Sequence, residues 1–145
     1  MTLYLDTSSL MKLHVSEAGS VETLQLVDES TVVSTSRIAY TETRAALARL
    51  RRERALTASM FASVKREFEE QWSAYLIVDV TDSLCRVAGD LAERYGLRGY
   101  DSLHLASFAE VARRAGIRET RFSSFDERLN DAARRLARRL ERIPQ

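Results

Sequence analysis

The sequence predicts an α/β fold in which a parallel sheet is covered by helices, and two observations carry that prediction. Short apolar runs recur between longer stretches of helical periodicity, and each run is followed by a polar step of the kind that opens a helix. The first run, Leu3 to Leu5, leads into Thr7-Ser8, and the second, Thr31 to Ser34, leads into Ser34-Thr35-Ser36. The third, Leu76 to Val80, meets Thr81-Asp82-Ser83, and the fourth, Thr120 to Phe122, meets Ser123-Ser124. A hydroxyl or carboxylate at such a step accepts from the amide groups that a helix's first turn leaves unpaired. A weak further strand is expected around Arg142 to Pro144, so the sheet holds four to five strands.

The longest helical stretch runs from Ser36 to Trp72, with a break expected near Ala55-Leu56-Thr57. Its second half places Met60, Phe61, Val64, Phe68 and Trp72 on one stripe, which must be covered by the chain's own core or by a partner. At 145 residues and 45% apolar content the chain fits a single domain, residues 1–145, with one sizeable core and no need of disulfide or metal staples. Cys85 is the single cysteine, which suits a reducing compartment. No run of about 18 apolar residues occurs, and Asp6 interrupts the first apolar stretch, so neither a membrane span nor a secretory leader is expected. The expected location is cytoplasmic. A net charge of +1 creates no global basic field, yet arginines cluster in residues 49–54 and at 134, 135, 138 and 139. Such ridges hold phosphates or are simply solvated helix faces.

Four carboxylates stand out against apolar surroundings. Asp6 follows the first strand directly, at the sheet edge where open α/β folds bind ligands, although the same position suits an N-cap or Asx turn. Glu42 shares its helix face with Ile38, Ala39, Ala45 and Ala46; none of these is a cation that would pair with it, and the remaining alternative is a solvated stripe edge. Asp101 opens a helix that is apolar around most of its circumference, where the helix dipole favours an anion by about 0.3 to 1 kcal/mol and simple capping is the alternative. Asp126 closes Ser123-Ser124-Phe125-Asp126, which also reads as a capping box. Brought to one sheet edge, such acids repel by on the order of 4 kcal/mol per close pair at 4 Å and an effective dielectric of 20. Either some remain protonated or a divalent cation sits among them, and oxygen ligands suit Mg²⁺ or Mn²⁺. His14 and His104 lack the paired spacing of a zinc site and read as structural, with His104 one turn from Asp101 and within possible reach of substrate.

Four segments carry a family resemblance: Asp6-Thr7-Ser8-Ser9-Leu10-Met11-Lys12-Leu13, Tyr40-Thr41-Glu42-Thr43-Arg44-Ala45-Ala46-Leu47, Tyr100-Asp101-Ser102-Leu103-His104-Leu105-Ala106, and Phe122-Ser123-Ser124-Phe125-Asp126-Glu127-Arg128-Leu129. In order and spacing they resemble the motif regions of PIN-domain nucleases of the VapC toxin type, across essentially the whole chain. The resemblance implies a three-layer α/β/α fold and an Mg²⁺- or Mn²⁺-dependent endoribonuclease, the toxin of a type II toxin–antitoxin pair. It implies Asp6 and Asp101 as metal ligands, Glu42 and Asp126 as the rest of the acidic cluster, and Ser8 and Ser124 as supporting or phosphate-contacting hydroxyls. Ser124 departs from the family's frequent threonine while keeping the hydroxyl. The implied products carry a 5′-phosphate and a 3′-hydroxyl, and the implied partners are an RNA substrate, a second copy in a homodimer, and a cognate antitoxin. Candidate antitoxin contacts are the stripe from Met60 to Trp72 with Leu47 and Leu50. The competing readings are a non-catalytic PIN-like module that binds RNA or protein, and a phosphotransfer domain using Asp6, which lacks a Gly-rich phosphate loop.

Overall fold

Alternation along the first strand sets the architecture. In β1 (Thr2–Leu5) the side chains of Leu3, Tyr4 and Leu5 are all fully buried, the signature of a strand covered on both faces. Leu3 and Leu5 pack with Leu10, Ala39 and Phe68 on one side; Tyr4 packs with Leu105, Phe108, Leu129 and Leu136 on the other. Two cores therefore flank one sheet, giving three layers.

The structure, a computed structural model, describes residues 1–143. After β1 come α1 (Thr7–Lys12), α2 (Ser20–Asp28), β2 (Val32–Ser36), α3 (Ile38–Arg52), α4 (Ala58–Trp72) and β3 (Leu76–Val78). Then follow α5 (Asp82–Tyr95), α6 (Gly99–Ala115), a 3₁₀ turn (Ile117–Glu119), β4 (Thr120–Ser123) and α7 (Glu127–Glu141). The four strands are parallel in the order β3-β2-β1-β4, with Tyr4 in register with both Ser34 and Phe122. The chain steps outward from β1 through β2 to β3 and then returns to β1's other side as β4. The carboxyl ends of β1 and β4 thus flank the topological switch point, where ligands bind in open α/β sheets.

The expected break in the long helix is present, since α3 stops at Arg52 and Thr57 caps α4 by accepting from the Met60 N–H. The apolar helix α6 is buried along eight of its residues, from Ser102 to Ala112. Several expectations need correction. Ser34 and Thr35 are not a cap but fully buried strand residues that give their hydroxyl protons to the Leu3 and Leu5 carbonyls, whereas Ser36, also in the strand, accepts from the Ile38 N–H at 3.4 Å at the start of α3. Asp6 and Asp126 cap α1 and α7, in place of Thr7-Ser8 and Ser123-Ser124. The further strand is absent at Arg142 and Ile143, because Arg142 keeps helical backbone and ends α7; Pro144 lies outside the described residues. The stripe on α4 is largely consumed at home: Phe68 is fully buried and touches Tyr40, Trp72 and His14, and Leu47 on α3 is buried too. Leu47 and Phe68 are therefore unavailable to a partner, whereas Met60 is 49% exposed. The arginines of α7 form a solvated face opposite buried Leu129, Ala132, Ala133 and Leu136.

Candidate active site

Asp6 is where β1 hands over to α1, and its backbone N–H donates to the Ser123 carbonyl at 3.1 Å, tying the ends of β1 and β4 together. Its carboxylate is 5% exposed and heavily engaged. Oδ1 accepts from the Ser9 N–H at 3.0 Å and from the Ser8 hydroxyl at 2.7 Å, and Oδ2 accepts from the Ser124 hydroxyl at 2.6 Å. The two serine oxygens lie 3.4 Å apart, but each has one proton and directs it at Asp6. Each in turn accepts from the chain, Ser8 from the Phe125 N–H at 2.9 Å and Ser124 from the Asp126 N–H at 3.0 Å. Ser8 and Ser124 therefore orient Asp6 and fasten the loop after β4.

Glu42 projects from α3 into a second network. Its Oε1 accepts from the Thr7 hydroxyl at 2.7 Å and faces His104 Nε2 at 2.8 Å, while His104 Nδ1 meets the Tyr4 hydroxyl at 2.9 Å. Proton bookkeeping gives the directions: Thr7 and Nε2–H both donate to the carboxylate, so Nδ1 accepts from Tyr4. Burial raises the Glu42 pKa, but the hydrogen bonds from His104 and Thr7 outweigh it, and the net shift is below the ordinary carboxylate range. Burial drives the Tyr4 phenol well above its usual value, which keeps it a donor. His104 is 2% exposed. The expectation that it is structural holds in the sense that both ring nitrogens are taken, yet what it structures is a site carboxylate.

Asp101, in the first turn of α6, accepts no hydrogen bond among the described residues. Its pKa is raised, first by burial and then by the Asp126 carboxylate, with Asp6 adding and with Arg98 and His104 opposing. The carboxylate contributions, secondary to burial, are the repulsion expected when such acids converge. Asp126 caps α7 through Oδ1, which accepts from the Leu129 N–H at 3.0 Å. Glu42, Asp101 and Asp126 line one cavity of about 510 Å³ together with Arg98, Gly99 and Tyr100. Larger hollows of about 620 and 840 Å³ lie elsewhere and are mainly apolar, with no cluster of acids. Chemistry rather than size singles out the acidic one.

All six expected site residues thus fall around the ends of β1 and β4. They do not form a ready ligand cage, however: among the described residues no three His, Cys, Asp or Glu side chains stand at the spacing of a formed metal site. Asp6, Glu42 and Asp126 each have an oxygen tied to a local donor, while Asp101 has none. The donor set nevertheless suits a hard divalent cation, being all carboxylate with one member, Asp101, that accepts no hydrogen bond among the described residues. Sequence reasoning missed Thr7 and Tyr4 altogether. Tyr4 was the one polar-tipped residue inside the first apolar run, and that was the available signal.

Comparison with known proteins agrees with this layout. The profile of the PIN domain matches residues 3–135. Ribonuclease VapC45 of Mycobacterium tuberculosis is 41% identical over 109 residues, which is 75% of this chain and 76% of that protein. Among solved structures, Mycobacterium tuberculosis VapC20, named as a sarcin-ricin loop cleaving toxin, matches with a TM-score of 0.63 at 21% identity, covering 90% of this chain and 94% of that one. VapBC2 from Rickettsia felis, solved bound to a DNA fragment from their promoter, gives 0.56 at 16% identity over 87% of this chain and 100% of that one. At these identities the two structures speak to fold alone, whereas the profile and VapC45 speak to kinship. The chain belongs to the PIN-domain family, in its VapC group.

Proposed function

We propose that this chain is a divalent-metal-dependent endoribonuclease, a single PIN domain over residues 1–145, acting as the toxin of a VapBC-like type II toxin–antitoxin pair. The observation that carries the reading is the gathering of Glu42, Asp101 and Asp126 around one cavity, with Asp6 near enough to raise Asp101 further. The name of the 41% identical relative, a ribonuclease, supports the reaction class.

Asp6 and Asp101 would hold the cation, Mg²⁺ or Mn²⁺, with Glu42 and Asp126 completing the acidic cluster. When bound, such an ion activates water and offsets charge on the phosphate. Ser8 and Ser124 fix the Asp6 carboxylate so that it need not reorganise, and donors set in advance are what make electrostatic catalysis effective. Glu42, kept ionised by His104 and Thr7, takes the proton from the attacking water. The water oxygen bonds to phosphorus as the P–O3′ bond breaks in line, and the leaving 3′-oxygen takes a proton from solvent, giving a 5′-phosphate and a 3′-hydroxyl. No 2′-hydroxyl is consumed. A recessed acidic pocket admits an unpaired or looped RNA backbone more readily than a regular duplex. The exposed part of the α4 stripe around Met60 and the half-buried Leu50 are the remaining surfaces offered for an antitoxin. A homodimer is part of the same proposal, as is a cytoplasmic location; no helix among the described residues is long and apolar enough to cross a membrane. The non-catalytic alternative is disfavoured because none of the four acids has been replaced.

The test is cleavage of RNA by the purified, partner-free chain. Activity is expected with Mg²⁺ or Mn²⁺, is lost on chelation, and falls by roughly 100-fold or more in Asp6→Asn and Asp101→Asn while circular dichroism is unchanged. Cutting that persists in both variants would reject the assignment.

A further inference from the structure

One aromatic side chain beside the acids has no structural employment. Tyr100, one residue before Asp101, lines the acidic cavity and is 64% exposed. The other four tyrosines are engaged: Tyr4 with Phe108, Phe122 and His104, Tyr40 with Phe68 and Trp72, Tyr75 with Trp72, and Tyr95 under Arg135. Tyr100 makes no aromatic, cation–π or hydrogen-bond contact among the described residues, so its ring is left open. Leaving so large a ring in water forgoes burial worth more than most core contacts. Its neighbour Arg98 lines the same cavity, is exposed, and is in no ion pair among the described residues. An open aromatic face, a free guanidinium and a carboxylate cluster thus share one rim.

We propose that Tyr100 and Arg98 form a nucleotide-binding subsite beside the acids, in which an unpaired base stacks on the Tyr100 ring and the adjoining phosphate is held by Arg98. The proposal rests on the ribonuclease reading above and sharpens its substrate class to RNA with an unpaired nucleotide next to the cut. The chemistry fits on both counts. Every nucleobase has a π face, so an aromatic platform accepts an unpaired base irrespective of sequence. The acids repel an approaching phosphate, and among the described residues Arg98 is the one cation lining their cavity. Phe125, the residue before Asp126, is a poorer platform, since Lys12 lies 4.8 Å from its ring centre and Gly19 packs against its edge.

The experiment compares binding of fluorescein-labelled oligoadenosine with that of an abasic ribose-phosphate chain of equal length, by anisotropy, in the Asp6→Asn background. The parent is expected to prefer the base-bearing strand. Tyr100→Ala should weaken it by about five- to a hundred-fold, the range for loss of one stacked base, and leave the abasic chain unchanged. Tyr100→Trp should restore the preference, and Arg98→Ala should weaken both probes alike. In single-turnover cleavage Tyr100→Ala should raise the RNA concentration needed for half-maximal rate more than it lowers the maximal rate. Equal binding of both probes by the parent, or an equal loss for both probes in Tyr100→Ala, would overturn the subsite. If the chain containing native Asp6 binds RNA with this base preference but never cuts it, the ribonuclease reading fails and the subsite stands.

Discussion

Buried between the phenol of Tyr4 and the carboxylate of Glu42, His104 has both ring nitrogens committed, at 2.9 and 2.8 Å. A buried polar group that loses its partner is costly, by about 1 to 3 kcal/mol, because it has already given up water. His104→Leu is therefore expected to lower unfolding free energy by about that amount in urea titration and to reduce cleavage with Asp101 untouched. A variant of unaltered stability would show that the network does not bind the three groups together. The sequence exposed this site unevenly for a plain reason. Isolated carboxylates amid Ile38, Ala39, Ala45 and Ala46 are visible to anyone who folds the string into a helix. The partner of Glu42, by contrast, was sought three or four residues away on its own helix, and it lies 62 residues away on α6. Contacts of that separation depend on which strands become neighbours, and local patterns do not encode that.

At the scale of elements, two contacts around α1 carry stability consequences. His14, just after α1, is packed edge-on against Phe68 of α4, and neither ring nitrogen has a partner among the described residues. Burial lowers its pKa, with the Glu67 carboxylate opposing. Below the ordinary histidine value of about 6.5 the unfolded chain takes up the proton while the folded chain resists, so stability present above that pH is lost as pH falls through the folded value. His14→Met is expected to melt higher than the parent at neutral pH and to show a smaller fall in Tm between about pH 7 and pH 5, because an apolar side chain has nothing to protonate. Identical pH profiles would contradict this. Gly19, at φ +94°, caps α2 where a Cβ would sit 2.4 Å from Phe125 Cε1. Gly19→Ala is expected to cost more than about 1 kcal/mol, combining a disfavoured backbone with a forced move of a ring beside Asp126; an unchanged midpoint in denaturant would refute it. Strands and caps were legible where local chemistry decides them, as at Thr81, which caps α5 as its hydroxyl predicts, while near Thr57 the break was legible but its capping hydroxyl was not. Ser34 and Thr35 misled because the same hydroxyls serve a buried strand equally well once a neighbouring strand supplies carbonyls.

For the whole molecule, the decisive feature is that β4 returns to the flank of β1, bringing Asp126 to Asp6 across nearly the full length of the chain. The sheet order β3-β2-β1-β4 makes that join the switch point, and α3 and α6 deliver Glu42 and Asp101 to it from opposite layers. No single element owns the site, so its charge is held together only by global folding. Burial first, and the Asp126 and Asp6 carboxylates after it, raise the pKa of Asp101, and a divalent cation held among these acids, as proposed, would offset that charge. Titration of Mn²⁺ into the purified chain, followed by calorimetry, tests this most directly. The parent protein is expected to bind, and both Asp6→Asn and Asp101→Asn are expected to lose at least about tenfold in affinity, as when a ligand is removed from an oxygen site. A parent that takes up no Mn²⁺, or variants that bind it as well as the parent does, would contradict this.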